Sequence, residues 1–323
     1  MNYRSVSDLS TLTNRFASKV PTDVDLVVGI PRSGMLVASI VALKLNLPLT
    51  DLYAFERNDE LKKGHTRTYK HEALRLPQQA RKILLVDDSI ASGGSMREAR
   101  DKVSSIFSGE VVTMVAFAQR NNAEAVDIFL EAVEQPRVFE WNIMHHPLIS
   151  HSCLDIDGVL CVDPTRMQND DGANYLGFLE HARPLFIPSV EVKHLVTSRL
   201  EKYRCETEAW LERHGVRYQQ LHMLDLPSAA ERRRLDMHKQ FKADVYRSDP
   251  HAVLFIENEE LQAREIMRLT SKPVFCLETN EMYSPGASLS GLKSQAVRKS
   301  LSFRDKALGK VKRFMDRHLP LTP

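Results

Sequence analysis

The chain has 323 residues, 43% hydrophobic and 27% charged, with a formal net charge of +2. Those proportions exclude a disordered chain and leave room for one large or two ordinary domains with real cores. So balanced a charge names no partner, and the longest apolar stretch, residues 35–43, is too short to span a bilayer.

The N-terminus, MNYRSVSDLSTLTNRF, lacks the apolar core of a signal peptide. Cys153, Cys161, Cys205 and Cys276 form no Cys-x-x-Cys pair, so a reduced, cytoplasmic protein is the simpler expectation. In chain order, residues 24–30 (VDLVVGI) predict a buried strand and 35–45 a helix. Residues 82–86 predict a strand, 97–105 a helix and 111–118 a strand. Such alternation implies a doubly wound, mostly parallel sheet. Residues 57–70 are polar and basic without periodicity, a long loop of the kind that is usually functional. After a seam near 140–150 the alternation resumes. Strands are expected around 152–160, 191–198, 252–257 and 273–278, with helices at 207–214, 229–241 and 259–269 and a shorter one near 174–182. The fold class is therefore α/β, two doubly wound domains over 1–147 and 148–285. Residues 286–323 follow as a tail.

Two stretches carry the chemistry. In ILLVDDSIASGGS, residues 83–95, apolar residues end at Asp87 and Asp88, and a small-residue turn opens a helix. Carboxylates at a strand's carboxyl end accept hydrogen bonds from sugar hydroxyls. The backbone N–H groups of Ala91, Ser92, Gly93, Gly94 and Ser95 at a helix N-terminus suit a phosphate. An ordinary strand–loop–helix turn with solvated acids is the alternative. The stretch resembles the phosphoribosyl-pyrophosphate (PRPP) signature of the type I phosphoribosyltransferases, with serine where threonine is usual. The resemblance implies that Asp87 and Asp88 take the ribose hydroxyls and that Ala91 to Ser95 take the 5′-phosphate. VVGIPRSG, residues 27–34, is similar to the family's pyrophosphate loop, which makes Arg32, Ser33 and Gly34 further PRPP-binding residues. The family's closing loop then falls on 57–70, with Arg57, Lys62, Lys63, His65 and Arg67 as candidates. The implied partners are PRPP and a free base, whose identity the stretch 117–141 does not disclose.

The second stretch is CLDIDGVLCV, residues 153–162. Asp155-Ile156-Asp157 can be a phosphate site, a calcium loop or a fortuitous acidic turn. Val159 and Leu160 stand where a calcium loop needs oxygen ligands, which removes that reading. Asp155 can attack phosphorus while Asp157 serves as acid and base. The stretch resembles the first motif of the haloacid-dehalogenase (HAD) superfamily. On that resemblance Thr197 binds the phosphoryl group, and Lys242, rather than Lys239, steadies the nucleophile. Asp155, Asp157 and Glu257 would hold Mg²⁺, with Glu257-Asn258 in place of the usual aspartate pair. Between Gly158 and Thr197 there is no room for a large cap, so the domain is expected to be HAD-like without one.

His145 and His146 at the seam lack a third ligand nearby. From Lys293 on, nine Lys or Arg face two acids, and apolar residues recur at helical spacing. The tail therefore reads as a basic amphipathic helix that docks on the protein itself, an anionic membrane or a nucleic acid. The whole reads as a phosphoribosyltransferase coupled to a Mg²⁺-dependent phosphomonoesterase, its partners PRPP, a base and a phosphomonoester, with a homo-oligomer left open. The alternatives are a phosphatase with a PRPP- or nucleotide-sensing domain, or a catalytically weak adaptor.

Overall fold

Short, continuous apolar runs form the central strands of the computed structural model, which describes residues 1–62 and 73–286. The chain divides into two units, Met1–Ile149 with Pro188–Val190, and Ser150–Ile187 with the chain from Glu191 onward. Both are α/β with mostly parallel sheets.

The first unit contains β1 (Asn2–Arg4), α1 (Val6–Phe16), β2 (Leu26–Gly29), α2 (Gly34–Leu45), β3 (Leu49–Asp51) and α3 (Leu52–Glu56). They are followed by β4 (Lys82–Ile90), α4 (Gly94–Ile106), β5 (Glu110–Ala118), β6 (Ile128–Ala132) and β7 (Arg137–Phe139). Five strands in the order β3-β2-β4-β5-β6 form a parallel sheet, while β1 pairs separately with β7. Alternation along the strands feeds two cores. Val27, Leu84 and Val86 pack with Leu9 of α1 and Val37 and Val41 of α2. Leu26, Val28, Ile83 and Leu85 pack on the other face with Phe55 of α3 and Val103 of α4. The connections leave β2 to one side for β3 and then to the other for β4. The order thus reverses between β2 and β4, and a crevice at the carboxyl ends of such strands is where α/β sheets bind ligands.

The second unit contains β8 (Ser152–Leu154), α5 (Ala173–His181), β9 (Val192–Leu200), α6 (Arg204–Arg213), β10 (Tyr218–Leu224) and α7 (Ala229–Leu235). Then come α8 (His238–Ser248), β11 (Leu254–Glu257), α9 (Glu260–Thr270), β12 (Val274–Cys276) and β13 (Glu281–Tyr283). The sheet runs β10-β9-β8-β11-β12-β13, parallel except for β13. Here the order reverses between β8 and β11, so Asp155 and Glu257 stand at the switch point.

Several expectations change. The strand expected at 152–160 ends at Leu154, so Asp155 and Asp157 lie beyond its end. The strand expected at 82–86 runs on to Ile90, so Asp87 and Asp88 lie inside it, with Asp87 registered against Val115 of β5. The helix expected at 229–241 is two helices, because Asp236 turns left-handed at φ 44° and ends α7. The helix expected at 97–105 starts three residues earlier, at Gly94, directly after the small-residue turn. Helix α1 was not foreseen; it starts on a capping box in which Ser5 Oγ accepts from Asp8 N and Asp8 accepts from Ser5 N. All four cysteines are free thiols. Among the described residues no helix is long and apolar enough to cross a membrane. The amphipathic helix expected in 286–323 falls outside the described residues from 287 on.

Candidate active sites

In the first unit β2 delivers the chain to Ile30, whose N–H donates to Val86 O at 2.8 Å. Arg32 is exposed, Ser33 precedes α2, and Gly34 begins it. Gly34 is the joint of the site. A Cβ there would lie 2.8 Å from Val86 O and 2.9 Å from both Asp87 Cα and Asp87 Oδ1, so only glycine lets the first loop rest on the acidic strand.

Asp88 is buried and its Oδ2 accepts from Trp141 Nε1 at 2.8 Å, while its own N–H donates to Asp87 Oδ1 at 2.8 Å. The indole is held by a stack: Trp141 lies 4.9 Å from Phe139 at 3°, and Phe139 lies 4.9 Å from Phe117 at 22°. Burial, and then the charge of Asp88, push the Asp87 carboxyl up to about 7. Among the described residues no basic side chain pairs with Asp87. Hydroxyl donors or a cation would each relieve it. In the turn, Ser92 and Gly94 are exposed and Gly93 precedes α4. Ser92 O accepts from Arg97 Nη1 at 3.0 Å, and Ala91 O accepts from Asn122 Nδ2. Ser95 lies in the first turn of α4. Of the candidate closing residues, Arg57 pairs with Asp59 at 2.7 Å and Lys62 with Glu60 at 2.8 Å. Lys63, His65 and Arg67 lie outside the described residues.

In the second unit Asp155 follows β8 directly, its N–H donating to Ile256 O at 3.1 Å. Lys242 reaches it from α8. The ammonium donates to Asp155 Oδ2 at 2.5 Å, to Glu257 Oε2 at 2.8 Å and to Gln262 Oε1 at 3.1 Å. Lys242, Asp155 and Glu257 are 1%, 4% and 0% exposed, so these charges depend on one another. One ammonium serves two carboxylates. Burial pushes Asp155 up to about 7, with Lys242 opposing and Glu257 adding, while the same two acids raise Lys242. Lys239 instead pairs with Asp236 at 3.5 Å.

Asp157 is held differently. Arg199, fully buried, donates through Nε to both carboxylate oxygens at 3.2 Å and through Nη2 to Oδ1 at 2.7 Å. Thr197 is buried in β9 with its Oγ1 accepting from Arg199 N at 3.2 Å. Its neighbour Ser198 lines a cavity of about 820 Å³ together with Asp155, Asp157, Lys242, Arg232 and Asn258. At the turn after Asp157, Gly158 adopts φ +74°, and a Cβ there would fall 2.0 Å from Asn258 Nδ2. Asn258 also donates to Asp163 Oδ2 at 2.9 Å.

Among the described residues no group of three or more His, Cys, Asp or Glu side chains is placed to hold a metal ion. In the second unit the cause is visible: the Lys242 ammonium stands between Asp155 and Glu257, and Arg199 holds Asp157. This donor set does not fit a Mg²⁺ ion shared by all three. Asp87 and Asp88, two hard oxygen donors without a cation between them, do fit one. His146 Nδ1 accepts from Leu148 N at 3.1 Å, and burial lowers its pKa, as expected of a packed residue.

The sequence gives no role to Arg199, Arg232 or Trp141, the last visible only as part of the seam. Arg199 lies two residues beyond Thr197 and so shares its face of β9. That period was legible, but basic residues at strand ends are usually solvated. Arg232 was concealed in the run Arg232-Arg233-Arg234, of which the other two are exposed.

Residues 7–145 match the family model described as phosphoribosyl transferase domain. Similar solved structures include the purine phosphoribosyltransferase of Pyrococcus horikoshii, 17% identical over 43% of this chain and 92% of that one, TM-score 0.32. Another is the xanthine-guanine-hypoxanthine phosphoribosyltransferase of Helicobacter pylori, 17% identical over 44% of this chain and 92% of that one, TM-score 0.33. No curated protein matches the chain. The family match ends before Ser150, where the second unit begins. The chain thus carries a phosphoribosyltransferase-like N-terminal domain.

Proposed function

We propose that the first unit transfers a phosphoribosyl group from PRPP to a nitrogenous base and that the second hydrolyses a phosphomonoester. In the first reaction the bond from the anomeric carbon to pyrophosphate breaks, a bond from that carbon to a base nitrogen forms, and pyrophosphate leaves. The observation that carries this is Gly34 seated against Asp87, which joins the two loops at the switch point of a domain that the family model matches. Asp87 and Asp88 are oriented to accept from ribose hydroxyls, Asp88 held by Trp141, and the Ala91–Ser95 turn offers N–H groups to the 5′-phosphate. Mg²⁺ bound with the diphosphate would neutralise its charge as it leaves.

In the second unit an Asp155 Oδ–phosphorus bond forms as the ester P–O bond breaks, the leaving oxygen takes a proton from solvent, and water then hydrolyses the aspartyl phosphate to free phosphate and Asp155. Lys242 steadies both the nucleophile and the incoming phosphate charge. The grip of Arg199 on Asp157 favours a second reading, in which this unit binds phosphomonoesters and turns alkyl esters over slowly.

PRPP with Mg²⁺ should stabilise the protein thermally, by roughly 2.7 kcal/mol at about a hundred times the dissociation constant. Asp87→Asn with Asp88→Asn should abolish the shift. A double variant that keeps it would remove the acids from the site.

A further inference from the structure

Arg232 is the one basic residue of its run that turns inward, 8% exposed, to line the cavity that holds Asp155. Its Nη1 donates to Ser198 O at 2.8 Å and its Nη2 to Asn169 Oδ1 at 3.0 Å, both uncharged acceptors. Its Nε is buried with no partner among the described residues, and so is the Oγ of Ser198, which lines the same cavity. A buried cation without a carboxylate is costly, and unsatisfied buried polar atoms beside it add to the cost. Lys242 and Arg199 are each matched to acids; Arg232 is not. Arg232 and His238 both line this cavity, and Arg232 is the one guanidinium among its lining residues. A guanidinium fork matches a phosphate or a carboxylate.

We infer that the second unit takes a phosphomonoester carrying a second anionic group, a phosphate or a carboxylate, which Arg232 and Ser198 bind while Asp155 acts on the ester phosphate. This rests on reading the unit as a phosphomonoesterase and names its substrate class. At about 820 Å³ the cavity is ample for a small molecule with two charged ends.

The test compares glycerol bisphosphate, phosphoglycerate and glycerol phosphate as substrates of the full chain. At least one doubly anionic ester should be preferred by about tenfold or more in kcat/KM, mainly through KM, and the arm that wins names the second anion. Arg232→Gln should remove most of that preference, Arg232→Lys should restore part of it, and Ser198→Ala should weaken it. No preference in the parent, or one that survives Arg232→Gln and Ser198→Ala, overturns the inference. Calorimetric binding of the same compounds to the full-length Asp155→Asn variant separates this from the catalytic reading. Arg232-dependent selectivity in binding, with no hydrolysis by the parent, would keep the anion site and discard the phosphatase. Hydrolysis without selectivity would do the reverse.

Discussion

Lys242→Met is expected to cost the second unit roughly 3–5 kcal/mol, because it leaves buried carboxylates without their cation. Asp155 and Glu257 both depend on that ammonium, at 2.5 and 2.8 Å, and are only 4% and 0% exposed. Removing one acid as well should reduce the damage. Lys242→Met with Glu257→Gln is therefore expected to be less destabilised than the two single changes added together, by about 0.5–3 kcal/mol of coupling. Denaturant unfolding of the four proteins measures it, and simple additivity would show that the three groups do not act as a unit. The pH dependence follows from the same geometry. Asp155 has a folded-state pKa raised to about 7, above its unfolded value. Its contribution to stability is complete below the unfolded value and is lost as pH rises through about 7. Asp155→Asn should flatten that part of the profile.

Arg199→Leu should lower the stability of the second unit by about 3 kcal/mol, since a buried guanidinium and its carboxylate are parted. Its second effect is chemical. While the guanidinium holds both oxygens of Asp157, that carboxyl is not free to hand a proton to a leaving alkoxide. A general acid is worth about 10²–10⁴ where the leaving group is poor. The ratio of alkyl to aryl phosphate turnover should therefore rise about tenfold or more in Arg199→Leu. It should fall back when Asp157→Asn is added. A ratio that ignores both changes would leave Asp157 with a structural role only.

Much of this was legible in the sequence because strand periods and small-residue turns are local. Residues 83–86 and 254–256 are apolar runs that end at acids, and a parallel sheet places such ends on one edge. Lys242, 87 residues from Asp155, still meets it, since α8 returns the chain to the crevice. What was hidden depends on long-range packing. Nothing near Trp141 announces that its indole N–H serves Asp88, because the stack that aims it draws on β5 and β7. The pairing of Arg199 with Asp157 required β9 beside β8, and the inward turn of Arg232 is met by Ser198 and Asn169, 34 and 63 residues away. Edge strands such as β10 are polar on their exposed face and so lack the apolar run that marks a buried strand.

The central claim is that the two units hold separate reactions, PRPP chemistry at Asp87 and Asp88 and phosphate release at Asp155. The most direct measurement supplies PRPP, Mg²⁺, a panel of free bases and a phosphomonoester to the full chain, following pyrophosphate and phosphate together. The account predicts base-dependent pyrophosphate that disappears in Asp87→Asn with Asp88→Asn, and phosphate release that disappears only in Asp155→Asn. Pyrophosphate formed undiminished by the first variant, or phosphate released undiminished by the second, would contradict it.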